Sequence, residues 1–85
     1  MPEISRFFGI VIRMLYNEHA APYFHAEYGE HEISVDIEGV GMNGGLPRKQ
    51  LSMLLDWRDA HRAELLSNWE RMRRGEPAEP IAPLE

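Results

Sequence analysis

The residues with the most chemical capacity in this chain crowd the segment Asn17–Glu30, NEHAAPYFHAEYGE, and two positions that strand pairing would bring beside it, Arg13 and Asp36. An imidazole beside carboxylates can give or take a proton near neutral pH, and a guanidinium can hold an anion or a phosphate group. On that reading His25 is the acid or base, Arg13 holds the anion, and Tyr23 and Glu27 support them, a set suited to cutting RNA. The same residues equally describe a solvated sheet face on which Arg13 balances Glu27 and Asp36.

A metal site would draw on His19, His25 and His31 with Glu18, Glu27 and Asp36. Zinc ligands must converge within about 2–2.3 Å of one ion, yet these histidines fall in a loop, in mid-strand and at the far turn. Only His25 with His19 or Asp36 is feasible, so no metal and no cofactor is assigned. A second polar cluster, Arg48, Arg58, His61 and Arg62, could contact an anion or RNA phosphate, or could simply be an exposed basic flank. Nucleophilic chemistry has little support: there is no cysteine and no G-x-S-x-G, and Ser34 near His25 lacks an obvious oxyanion hole. GVGMNGG is not a phosphate-binding loop of the G-x-x-x-x-G-K type.

These side chains need a scaffold, and two periodicities supply it. From Ile4 to Gly45 the pattern has period two with Gly, Pro and Asn between runs; from Pro47 to Arg74 no Gly follows and the period is helical. GIVIRMLY, YFHAEY and HEISVDI read as strands, with Phe24, Ala26, Ile33, Val35 and Ile37 on one face. A two-residue turn at Gly29-Glu30, glycine first as a type II′ turn prefers, pairs Tyr28 with His31. The polar face then carries the rows Val11–Glu27–Glu32, Arg13–His25–Ser34 and Leu15–Tyr23–Asp36. A fourth short strand near Gly41–Asn43 is weakened by glycine.

Beyond Pro47, a residue suited to the first helical turn, Leu51, Leu54 and Leu55 form one apolar stripe and Leu65, Leu66, Trp69 and Met72 another. Arg58, His61 and Arg62 fall between them, so the helix bends near His61 or carries a polar notch. Trp69 belongs to the stripe, whereas Trp57 points off it and is expected to face a partner. Gly75 after Arg71–Arg74 is a stop signal, with basic residues complementing the helix dipole. The expected architecture is α+β: a small antiparallel sheet of three or four strands, then one long bent helix or two consecutive helices on one face. Residues 1–75 form a single domain, and 76–85 an extended Pro-rich tail.

At 85 residues the chain can bury one core, roughly 60–65% of its unfolded surface, but no deep cavity. Nine basic against 14 acidic residues give a net charge of −5, which leans against sequence-independent nucleic-acid binding. No run reaches the 18 or so apolar residues of a membrane span, and the first residues lack the pattern of a signal peptide. Together with the absence of cysteine, this gives a cytoplasmic expectation.

PEISRFFGIVIRMLYNEHAAPYFHAEYGEHE, then GLP, then W…HR.ELL.NWE…RRGEP…I.PLE closely resembles the bacterial domain of unknown function 4160 over nearly the whole chain. Members of that family are small bacterial and archaeal proteins often encoded beside a second short protein, in gene pairs that look like toxin–antitoxin modules. Its Pro-Pro-His-Phe-His run reads Ala21-Pro22-Tyr23-Phe24-His25 here, after Glu18-His19. Tyr23 in place of the first histidine would alter any two-histidine site. The resemblance implies a cytoplasmic member of a toxin–antitoxin-like pair that contacts its neighbour; Trp57 off the stripe and exposed edge strands, which favour pairing or a homodimer, add to that expectation. An RNA-cleaving toxin and a metal-binding regulator are the alternatives.

Overall fold

The chain builds one sheet and two helices, in the order β1 (Glu3–Phe7), β2 (Ile10–Arg13), β3 (Tyr23–Tyr28), β4 (His31–Asp36), β5 (Met42–Gly45), α1 (Arg48–Ala60) and α2 (Arg62–Arg73), in a computed structural model that describes residues 1–85. The five strands form an antiparallel meander in sequence order. The sheet therefore has five strands, not the three or four expected. The strand overlooked is β1. Phe8 (φ 48°) and Gly9 (φ 82°) both sit at positive φ and turn the chain in two residues, the backbone of a type I′ hairpin. Phe-Gly is not the Asn-Gly that announces such a turn, so the run through Phe7, Phe8 and Gly9 gave no sign of reversal.

The register of the central strands follows from alternation and the Gly29 turn. Tyr28 faces His31, Ala26 faces Ile33 and Phe24 faces Val35; across the other side of β3, Val11 faces Glu27 and Arg13 faces His25. A one-residue slip would send Phe24, Ala26, Ile33 and Val35 to solvent, so burial fixes this pairing. These four, with Ile10, Ile12, Met14 and Ile37, are buried on one face. β2 is shorter than expected, ending at Arg13, although Met14 stays buried and its N–H donates to the Pro2 carbonyl at 3.3 Å.

The helices cover that apolar face with Leu54, Trp57, Leu65 and Trp69. Of the two helical alternatives, the chain takes two consecutive helices. They meet at His61 (φ −118°, ψ 23°), which still donates its N–H to the Trp57 carbonyl and accepts from Leu65 N–H. The junction thus breaks the helix with little loss of hydrogen bonding. Pro47 is the N-cap of α1. α2 ends at the expected glycine: Gly75 (φ 81°) donates to the Met72 carbonyl and Glu76 to the Arg71 carbonyl, a Schellman pair that satisfies the last carbonyls.

Trp57 corrects an expectation. It is fully buried, packed on Phe7 and Phe24 at ring separations of 5.4 and 5.8 Å, and is no partner-facing anchor. Trp57 follows Leu54 by three residues and shares its buried face of α1, which a stripe drawn through the leucines alone leaves out.

Residues 76–85 carry neither helix nor strand, yet they are fastened along their length. The Asn68 side chain donates to the Glu79 carbonyl and accepts from the Glu79 N–H, both at 2.8 Å, imitating a strand neighbour. Trp57 Nε1 donates to the Ala82 carbonyl at 2.9 Å, and Ile81 is buried with its N–H on the Ile4 carbonyl. Asn68 is itself 2% exposed. Asn68→Ala deletes two bonds and leaves the Glu79 backbone groups unpaired, so about 2–3 kcal/mol of stability is expected to go, read as a lower urea midpoint at unchanged m-value.

Candidate functional site

The helices lie on the apolar face of the sheet, and a row of polar side chains crosses the other face. Antiparallel register lines up Arg13 (β2), His25 (β3), Ser34 (β4) and Asn43 (β5) as successive cross-strand neighbours. Where His25, Ser34 and Asn43 meet Glu32 and Gly44, the face dips into an open hollow of 260 Å³. Gly44, at its rim, lies against the β4 backbone where no side chain fits. It sits at φ +98°, and a Cβ there would lie 2.3 Å from the Glu32 carbonyl oxygen.

The four residues expected to do chemistry on this face do share it, in two pairs. Arg13 donates through Nε to Glu27 Oε1 at 2.6 Å and through Nη1 to the Met1 carbonyl at 3.2 Å. Its charge is therefore matched, and its N–H groups are partly used. Tyr23 stacks edge-on against His25 with ring centroids 5.2 Å apart, and its other side meets Trp69 at 5.4 Å. The tyrosine orients the imidazole by packing. Half-buried His25 lines the hollow with Glu32 and Ser34, and Arg13 and Glu27 do not.

Arg48, Arg58, His61 and Arg62 do not form one notch. Arg48 is exposed at the start of α1, away from the others. The Arg58 side chain is only 13% exposed and donates to Asp59 Oδ1 (3.1 Å) and to the carbonyls of Asp36 (3.3 Å) and Gly39 (3.5 Å). Arg62 donates to the Glu38 carbonyl (3.4 Å) and to Asp59 Oδ1 (2.6 Å). These guanidiniums clamp the β4–β5 loop to the helix bend. His61 bonds Glu64 at 2.6 Å and stacks on Trp57 at 5.5 Å.

The clamp has a pH signature. The hydrogen bond from Arg58 foremost, with help from Arg62, holds the Asp59 carboxyl below the usual aspartate range, against a smaller opposing pull from desolvation. A depressed carboxyl stabilises the fold above its unfolded pKa, near 4, and loses that contribution as pH falls through its folded value. Asp59→Asn is accordingly expected to flatten the fall in melting temperature below about pH 4, with the strongest contrast at low salt where screening is least.

No group of three or more His, Asp or Glu side chains is placed to hold a metal ion. No helix is long and apolar enough to cross a membrane. The residues that sequence reasoning left out of the site are Glu32, Asn43 and Gly44. A signal for Asn43 existed: counting across the β4–β5 turn from Asp36 opposite Gly41 sets Asn43 against Ser34.

A family model described as Domain of unknown function (DUF4160) matches residues 9–70, from the turn before β2 to the last turn of α2. No curated protein and no solved structure matches the chain.

Proposed function

This chain belongs to the DUF4160 family, and on that premise we propose that it is a bacterial protein-binding module, one half of a toxin–antitoxin-like pair that contacts a second small protein encoded beside it. The observation that carries the reading is the one-sided sheet. Helices cover one face, while the other presents the row Arg13, His25, Ser34 and Asn43 around an open hollow. A shallow polar depression with a half-buried aromatic pair, Tyr23 and His25, suits recognition of a protein surface better than enclosure of a small substrate.

RNA cleavage is the second reading, favoured by one feature: His25 opens into the same hollow as Glu32 and Ser34, where an imidazole can relay a proton. Against it, no cation lines the hollow, and Arg58 and Arg62 are engaged by loop carbonyls. Phosphoryl transfer without a group to neutralise the developing charge is disfavoured.

Coexpression with the adjacent protein and affinity capture tests the proposal. The expected result is a stable complex, weakened roughly tenfold by His25→Ala, the size of loss that truncating one well-packed interface residue brings. Growth arrest on expressing this chain alone, with RNA cleavage abolished by His25→Ala in a folded protein, would carry the second reading instead.

A further inference from the structure

The two edges of the sheet are unlike. Along β1 the C-terminal segment lies against the strand, with Ile81 N–H donating to the Ile4 carbonyl at 2.8 Å. β5 has β4 on one side and no strand on the other, and all four of its residues are exposed. Asp36 N–H donates to the Gly41 carbonyl at 2.9 Å, which sets the alternation of the ladder. Gly41 and Asn43 turn their backbone groups toward β4, and Met42 turns its N–H and C=O outward. An open edge of this kind is a template for an added strand.

The flanks of β5 say what such a strand would carry. On the helix side Met42, opposite buried Val35, is 49% exposed, and Val40 in the loop just before β5 is 92% exposed. On the other side lies the hollow, and its one formal charge is the exposed carboxylate of Glu32. Gly45 stands opposite Glu32, so no side chain on β5 screens that carboxylate from the edge. A strand added to β5 would lie about 10 Å from β4, within the combined reach of a long cationic side chain and a glutamate. Glu30 and Glu38 are exposed on the turns at either end of β4, and the chain as a whole carries −5.

Building on the protein-binding reading above, we propose that the β5 edge receives an extended segment of a basic partner as a sixth strand. Its backbone bonds the Met42 N–H and C=O, an apolar side chain covers Met42, and a lysine or arginine enters the hollow against Glu32. The edge and its charge define what the partner must present. Arg13 takes no part, because Glu27 already neutralises it.

The test uses the isotope-labelled full chain and two short synthetic peptides, one alternating valine with lysine and one alternating valine with glutamate. The lysine peptide is expected to bind, shift the resonances of residues 42–45 and His25, and slow exchange of the Met42 amide. Met42→Pro removes the outward N–H without touching a β4–β5 bond and should weaken binding at least tenfold. Glu32→Lys, an exposed change that leaves the ladder intact, should reverse the preference toward the glutamate peptide. Equal binding of both peptides, shifts confined to another surface, or affinity unchanged by both variants overturns the proposal. So does concentration-dependent protection of Met42 without peptide, which would put a second copy of this chain on the edge. Capture of the adjacent protein at full affinity by both variants would sink the β5 proposal and leave the binding-module reading standing. Peptide binding as described, with no capture of that protein, would do the reverse.

Discussion

Trp57→Ala is expected to cost about 3–5 kcal/mol, the range for emptying a buried aromatic site. An 85-residue domain has roughly 4–13 kcal/mol of total stability, so this single change would leave a small remainder or none. The size follows from position. Trp57 is fully buried and touches both layers: Phe7 on β1, Phe24 on β3 and His61 at the helix bend. Its Nε1 also donates to the Ala82 carbonyl, so the same ring ties down the C-terminal segment. Trp57→Phe separates the two roles. Most of the aromatic volume is kept, while the indole bond, worth about 1 kcal/mol net, and some packing are lost. Chemical denaturation should therefore rank wild type above Trp57→Phe and that variant well above Trp57→Ala. Equal losses in the two variants would mean that the hydrogen bond to Ala82, and not the packing, dominates. In Trp57→Phe, exchange of the Ile81 amide is expected to quicken before that of the strand amides, because the tail has lost one fastening while the sheet has lost none.

Gly44→Ala is the second large effect and bears directly on the site. At φ +98° an L side chain is strained, and its Cβ would press on the Glu32 carbonyl at 2.3 Å and on the Ile33 Cα at 3.2 Å. Both neighbours are backbone of the paired strand and cannot swing aside. The ladder must open locally, so a loss of roughly 2–4 kcal/mol is expected from strain and broken pairing together. Exchange of the amides of β4 and β5 should quicken while that of β1 to β3 changes little. Partner capture should fall as well, because Gly44 lines the hollow. Gly45→Ala is the control: nothing lies within 4 Å of a Cβ there and φ is not positive, so only a few tenths of a kcal/mol should change. If the two alanine variants behaved alike, the close approach at Gly44 would not be what shapes β5.

Much of the sheet could be read directly from the residues, and the reason is its short physical range. The alternation in HEISVDI and YFHAEY, with glycine leading a two-residue turn, fixes both faces and the register, since any slip exposes Phe24 or Val35. The row Arg13–His25–Ser34 was legible for the same reason. The turn at Phe8-Gly9 was not. A phenylalanine at positive φ is held there by the hairpin around it, with Phe7 buried and Phe8 60% exposed, and no local rule places it so. β5 was visible only in outline, because Met-Asn-Gly-Gly has little strand propensity and pairs through its backbone.

The helical half divides similarly. The sequence by itself determined that a helical pattern runs from Pro47 to a stop at Gly75 and that it is interrupted around His61, since proline, glycine and the spacing of leucines act over one or two turns. Only the tertiary structure decided what the interruption does. Packing buries Trp57 between the layers, hands Arg58 and Arg62 to the carbonyls of the β4–β5 loop, and leaves Asn68 to hold the backbone of Glu79. Each of these joins residues eleven or more positions apart, where periodicity carries no information. A guanidinium that reads in sequence as free to hold a phosphate is, once the chain is folded, part of the fold's own hydrogen bonding.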